Sequence, residues 1–263
     1  MQKFIFCFSL LIFISVKAFG QIDFRKPFQD CNVQGSITIY DYKNKKWTFS
    51  DKTDAKREML PASTFKVINS LIALETGAVK DEKEVFKWDG VKRDIEAWNA
   101  DTDMENAFKN STVWFYEEIA RRVGKEKYKE FLKKSNYGNG KIYGGKGVNF
   151  WVYGDFGVTP KNQVEFLKAF YEEKLPFSKR TFEIVRRIML NEKTGAHALY
   201  AKTGRTRPKD IDIGWWIGFV ERKDNTYFFA TRFTQKRDAE NPRFNDCRKE
   251  ITKSILREMK IIE

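Results

Sequence analysis

Strand-forming sequence stands near the start of this 263-residue chain and again in its last third, with helix-forming sequence between, and that order leaves few ways to build a sheet. Residues 35–40 (GSITIY) are rich in β-branched side chains, 41–46 (DYKNKK) make a polar turn and 47–50 (WTFS) return, which reads as a hairpin. Three further runs, 198–203, 213–220 and 226–233, are separated by polar turns at 207–210 and 221–225, so an antiparallel meander follows. The simplest packing joins hairpin and meander. The expected fold class is therefore α/β: one antiparallel sheet made from N- and C-terminal segments and flanked by helices, with an all-helical lobe over roughly residues 61–150 and a cleft where sheet and lobe meet.

Helix signals fill the middle. The apolar run 67–74 has Pro61 just before it and a stop at Gly77. From there to about Lys134 the pattern reads as mostly helical, including 111–122 and 125–134. Residues 136–147, rich in Gly and Asn, read as a loop. Thr159-Pro160 opens a helix with Val164, Leu167, Phe170 and Tyr171 on one stripe, and Ser178 opens another with Phe182, Val185, Ile188 and Met189. A terminal helix is expected over roughly 248–260.

The first twenty residues read as a secretory signal: Lys3, an almost unbroken apolar run over 4–16, and Ala18 and Gly20 at the positions a signal peptidase inspects. The run is short for a membrane span, which needs about 20 apolar residues. The expectation is an exported protein, periplasmic or secreted, with no stable membrane association after cleavage. The formal charge of +13 falls to +11 when Lys3 and Lys17 leave. The remaining lysines are interleaved with glutamates along helical segments, the pattern of solvated helix faces, so nucleic acid is not an expected partner. Export permits a disulfide between Cys31 and Cys247, and two buried thiols are the other reading. Oligomeric state is left open.

Chemistry enters at Ser63-Thr64-Phe65-Lys66, just ahead of the apolar run. Positions i and i+3 of a helix share a face, so the Ser63 hydroxyl and the Lys66 amine should point into one space. A hydroxyl is a weak nucleophile until a base takes its proton. A lysine among apolar neighbours serves as that base, because burial disfavours the ammonium. The bland alternative is a helix-capping serine beside a surface lysine. Lys202-Thr203-Gly204 ends the strand run at 198–203, and Ser111-Thr112-Val113 opens a lobe helix, so the layout brings three motifs to one cleft. The single histidine, His197, argues against a Ser-His-Asp arrangement and reads as structural; no cluster has zinc-ligand spacing, and no metal is expected.

Ser63-Thr64-Phe65-Lys66, Ser111-Thr112-Val113, Tyr137-Gly138-Asn139, Phe150-Trp151 and Lys202-Thr203-Gly204, in this order, resemble the penicillin-recognising serine enzymes and, among them, the class D or oxacillinase-type β-lactamases. The tryptophan strand at 214–218 and Arg248 match more weakly. Class A is disfavoured, because Ser-Thr-Val stands where its S-D-N element would be. The resemblance runs from about Val33 to the C-terminus and makes 21–263 one β-lactamase/transpeptidase-like domain. It implies a hydrolase acting on the cyclic amide of a β-lactam, a small-molecule substrate. Ser63 would be acylated. Lys66 would carry carbon dioxide as N6-carboxylysine and act as general base, so carbon dioxide or bicarbonate is the only co-reactant implied and no other cofactor is. The Trp151 indole N–H, a donor only, suits a carbamate oxygen. Ser111 would pass a proton to the leaving nitrogen, its other reading being a helix N-cap. Val113 would cover the lysine. Lys202, Thr203, Gly204 and Arg248 would hold the substrate carboxylate, with Arg243 the local competitor of Arg248. The amides of Ser63 and Arg205 would form the oxyanion hole. Tyr137-Gly138-Asn139 would line the cleft wall, and Trp215-Trp216 reads more strongly as core than as wall. The charged connection at 205–210 (RTRPKD) departs from the family pattern, so no preference among β-lactam subclasses is carried over.

Two other functions share parts of this pattern. A β-lactam sensor or transpeptidase domain would acylate and hold the adduct. A basic exported binding protein would use neither Ser63 nor Lys66.

Overall fold

The computed structural model describes residues 22–143 and 148–263. The signal-like residues 1–20 and part of the Gly- and Asn-rich loop, 144–147, lie outside the described residues. Six strands form one antiparallel sheet: β1 (Gln34–Asp41), β2 (Lys46–Phe49), β3 (Leu190–Lys193), β4 (His197–Thr206), β5 (Ile211–Arg222) and β6 (Thr226–Lys236), in the order β2-β1-β6-β5-β4-β3. The N-terminal hairpin docks on the last strand, with β1 paired to β6 from Gln34↔Thr234 to Asp41↔Tyr227. β3, four residues long and mostly exposed, was not expected from sequence; a bulge separates its two stretches of pairing with β4.

Both faces of the sheet are covered, which is why its long strands read as nearly continuous apolar runs. Successive side chains of a strand point to opposite faces. Trp215 accordingly joins the core shared with the lobe, and Trp216 the core under the terminal helix. Both are core tryptophans, and the Trp215 indole donates to the Leu60 carbonyl at 2.9 Å. The second core lies under α1 (Lys26–Asp30) and the terminal helix, Phe244–Glu258, which begins four residues before the expected start. A disulfide joins Cys31, the C-cap of α1, to Cys247, with Cα atoms 6.0 Å apart, and so decides between the two readings of these cysteines. His197 is buried with Nε2 3.2 Å from Glu192 Oε1.

On the other face lie α2 (Lys66–Glu75), α3 (Met104–Asn110), α4 (Val113–Val123), α5 (Lys125–Lys134), α6 (Phe150–Tyr153), α7 (Pro160–Tyr171) and α8 (Lys179–Met189), which makes the terminal helix α9. Every residue of α2 from Lys66 to Leu74 is buried, so it is the lobe's central helix. Thr159 and Ser178 cap α7 and α8 by accepting from the amides of Asn162 and Thr181. α8 packs on α2 and α3, so the lobe draws on residues well past 150.

The stretch between α2 and α3 corrects the helical expectation. It holds one short 3₁₀ turn, Glu96–Trp98, and an isolated bridge between Phe86 and Thr102. Polar side chains there take the amides that a helix would use: Asp89 accepts from Val91, Asp101 from Trp88 and Asn99 from Arg93. No helix among the described residues is long and apolar enough to cross a membrane.

Candidate active site

The Ser63 turn is a 3₁₀ helix, Ala62–Phe65, that runs directly into α2 at Lys66. With three residues per turn, positions i and i+3 eclipse each other. Lys66 Nζ therefore lies 3.1 Å from Ser63 Oγ. Ala62, just before the serine, sits at φ 52°, a costly left-handed conformation for alanine. The turn is fastened from several sides. Thr64 Oγ1 donates to the Pro61 carbonyl (2.7 Å) and accepts from Gln163 Nε2 (2.9 Å).

Lys66 is fully buried, and burial draws its amine down to about 7 although Glu117 pulls it upward. Its Nζ stands 4.8 Å from the ring centroid of Tyr116. Phe65 stacks on Trp151, centroids 5.0 Å apart and planes at 9°. Trp151 is buried with Nε1 unpartnered, an orphan donor next to the lysine's own neighbour.

Ser111 and Lys202 form a second hydroxyl–amine couple, Lys202 Nζ donating to Ser111 Oγ at 2.5 Å and to the Thr203 carbonyl at 3.2 Å. Ser111 does not begin α4. It closes α3 in the left-handed region (φ 57°), and Thr112 is the residue that flanks Val113 and α4. This turn between two helices aims the Ser111 hydroxyl at β4. Lys202 is buried beside the Phe108 ring, and burial followed by the charges of Lys66, Arg248 and Lys249 holds its amine well below the usual lysine range.

β4 reaches the serine turn because residue 204 is glycine. A Cβ there would lie 2.9 Å from the Pro61 carbonyl oxygen and 3.1 Å from Thr64 Cγ2. Two residues on, Thr206 Oγ1 donates to the Val152 carbonyl at 2.7 Å and ties the strand to α6.

Ser63, Ser111, Val113, Thr203, Arg205 and Arg248 line one cleft of about 640 Å³, and Asn245, Trp98 and Tyr153 contribute to its walls. Lys66, Trp151, Lys202 and Gly204 are buried beside it. Arg248 donates through Nη1 to the Gly204 carbonyl (3.4 Å) and through Nε to the Asn245 carbonyl (2.9 Å); burial and then Arg205 bring its guanidinium down to about 10. Arg243 is exposed and pairs with Glu250 at 2.5 Å, away from the cleft lining. The Arg205 guanidinium pairs with buried Asp212 at 2.6 Å and lies over the Phe244 ring.

Tyr137-Gly138-Asn139 is not on this cleft. Tyr137 is buried, its hydroxyl donating to Gln163 Oε1 at 3.0 Å, and Asn139 donates to Glu58 at 2.9 Å. Gly138, at φ 70°, has the Phe156 ring where a Cβ would stand. The motif supports the nucleophile turn from behind, through Gln163 and Thr64. Tyr116, Glu117 and Phe108 escaped sequence reasoning. Tyr116 and Glu117 stand three and four residues after Val113 on α4, and helical spacing was the one signal that pointed to them.

A buried lysine against a serine, a second such pair across a cleft, and a KTG strand held against the nucleophile turn define a serine enzyme of the transpeptidase and β-lactamase kind. The chain matches the penicillin binding protein transpeptidase domain over residues 33–257. It is 40% identical to beta-lactamase OXA-48 of Klebsiella pneumoniae over 236 residues, covering 89% of this chain and 87% of that one. It is 38% identical to the probable beta-lactamase YbxI of Bacillus subtilis over 200 residues, 76% and 74% of the two chains. The crystal structure of a class D beta-lactamase from Sebaldella termitidis superposes with a TM-score of 0.88 at 44% identity, covering 93% of this chain and 98% of that one. The chain belongs to the penicillin binding protein transpeptidase domain family and, within it, to the class D β-lactamases, which are serine hydrolases.

Proposed function

We propose that this protein hydrolyses the amide of the β-lactam ring through an acyl-enzyme on Ser63, with carboxylated Lys66 as general base. The observation that carries the reading is the Ser63–Lys66 couple: a hydroxyl 3.1 Å from an amine that burial brings to about 7, beside an indole N–H with no partner. An amine neutral near pH 7 adds carbon dioxide: a C–N bond forms, a proton leaves to water, and a carboxylate results. That carboxylate supplies an anionic base and the missing acceptor for Trp151.

Lys66, so modified, takes the Ser63 proton as Oγ attacks the β-lactam carbonyl. The amides of Ser63 and Arg205 hold the oxyanion, where charge develops. Ser111, held by Lys202, passes its proton to the ring nitrogen as the C–N bond breaks and regains one from Lys66, which is then a carboxylate again. Thr203 and Arg248 hold the substrate carboxylate, a guanidinium matching it in two contacts. Lys66 then takes a proton from water as the water oxygen attacks the ester, and returns it to Ser63 Oγ as the C–O bond breaks. Val113 limits water at the lysine. Residues 1–20 serve as an export signal, which places the reaction outside the cytoplasm.

A chromogenic cephalosporin and intact mass over time test this together. The expected result is repeated turnover with a transient adduct on Ser63, and neither in Ser63→Ala. A persistent stoichiometric adduct would mean a sensor or transpeptidase, and no adduct at all a binding protein. Trp151→Phe is expected to raise the bicarbonate needed for half-maximal activity by about tenfold, the effect of losing one charge-assisted hydrogen bond. An unchanged bicarbonate requirement would remove Trp151 from the mechanism.

A further inference from the structure

Beside the Lys66 pocket stands a charged residue that the reaction above does not use. Glu117 follows Tyr116, the residue whose ring faces Lys66 Nζ, on α4. Its Oε1 accepts a hydrogen bond from Asn149 Nδ2 at 2.6 Å. Asn149 is the residue just before α6, which carries Trp151, and it is buried with Oδ1 unpartnered. Glu117 thus links the helix beneath the lysine to the helix that brings the orphan indole. Glu117 also lines a groove of about 470 Å³ that shares no lining residue with the Ser63 cleft.

We propose that Glu117 is a positioning residue that holds Asn149 and the start of α6 and, through its negative charge, limits how readily Lys66 takes up carbon dioxide. The proposal rests on the carboxylated-lysine reading and adds to it a residue that sets the extent of modification.

The sign follows from the charges around the pocket. A carboxylate near an amine favours the ammonium, and only the neutral amine adds carbon dioxide. The same carboxylate repels the carbamate once formed. Both effects work against modification. The field of Glu117 is weakly countered: among the described residues no cation stands within ion-pair distance of it, and its hydrogen-bond donor is a neutral amide. The cations of its groove pair with other carboxylates, Arg93 with Asp89, Arg121 and Arg122 with Glu118, and Lys87 with Asp101 outside the groove. Arg93 feels Glu117 at longer range. On the cleft side, Lys202 is itself held well below the usual lysine range by burial and then by the charge of Lys66. Lys66 therefore stands between Glu117, which holds the proton on, and burial, which drives it off.

Carbon-13 NMR of the full-length enzyme in labelled bicarbonate reads the carbamate directly, without relying on turnover. Glu117→Gln keeps the acceptor for Asn149 and removes the charge. It is expected to reach half-modification at about fivefold lower bicarbonate and to keep its carbamate to lower pH than the native enzyme. Glu117→Asp keeps the charge and is expected to follow the native curve. Glu117→Ser also removes the charge and is expected to shift the curve in the same direction, which tests the sign even if Glu117→Gln fails to fold. Uptake curves for Glu117→Gln that coincide with the native one, or an Asp variant displaced as far as the Gln variant, would overturn the proposal. A native enzyme with no carbamate signal at any bicarbonate concentration would instead overturn the carboxylated-lysine reading and this inference with it.

Discussion

Lys66→Met is expected to yield a protein that is more stable than the native one at pH 7 and that has lost turnover by about 10³-fold, the scale of a general base. Both effects come from one buried amine. The amine titrates near 10.5 in the unfolded chain and near 7 in the folded one. Between those values the unfolded chain holds a proton that the folded protein lacks, so stability falls as pH drops from 10.5 to 7. Linkage over that interval amounts to about 4–5 kcal/mol at most. Methionine fills the space without the charge, and a gain of about 2 kcal/mol is expected at pH 7, fading as pH approaches 10.5. Urea unfolding of both proteins at pH 7 and pH 10, in buffer freed of bicarbonate, checks it. A methionine variant less stable than native at pH 7 would mean that the amine makes favourable contacts beyond Ser63.

Asp54→Ala is expected to cost about 3–5 kcal/mol, the scale of leaving a buried guanidinium without its partner. Arg232, 1% exposed, donates to Asp54 Oδ1 at 2.5 Å and to the carbonyls of Asp54 and Arg57. Ser36 also donates to Asp54, at 2.5 Å. Burial alone would raise the Asp54 carboxyl, but Arg232 and Ser36 more than reverse that and hold it below the usual range. Its stabilisation is therefore present above about pH 4 and is lost as pH falls through the folded value. The segment it anchors leads to Met59, which bridges to Val158, and to Leu60, which is held by Trp215. The Ser63 turn follows directly, so activity should fall with temperature earlier than in the native enzyme. Thermal unfolding measures the loss; a change below about 1 kcal/mol would show that Arg232 finds another partner.

Legibility varied with the reach of the interactions involved. The long strands were plain because a strand buried on both faces leaves an apolar run, and α7 and α8 because Thr159 and Ser178 cap them through neighbours three residues away. β3 and α1, four and five residues long, carry too few residues for a pattern. The segment between α2 and α3 misled because its apolar residues suggest helix while Asp89, Asn99 and Asp101 satisfy its amides otherwise. Tyr137 was placed on the cleft from its motif, and only its bond to Gln163 reveals that it supports the nucleophile from behind.

Sequence by itself determined the order of the long strands and of the long helices, the i, i+3 pairing of Ser63 with Lys66 and the residue types available for chemistry, because these depend on neighbours along the chain. Tertiary structure alone decided that burial draws the Lys66 amine down to about 7, that Trp151 is left with a free donor, that Ser111 meets Lys202 and that Cys31 meets Cys247. Each of those depends on exclusion of water or on the approach of segments far apart in the chain, and neither is written in local sequence.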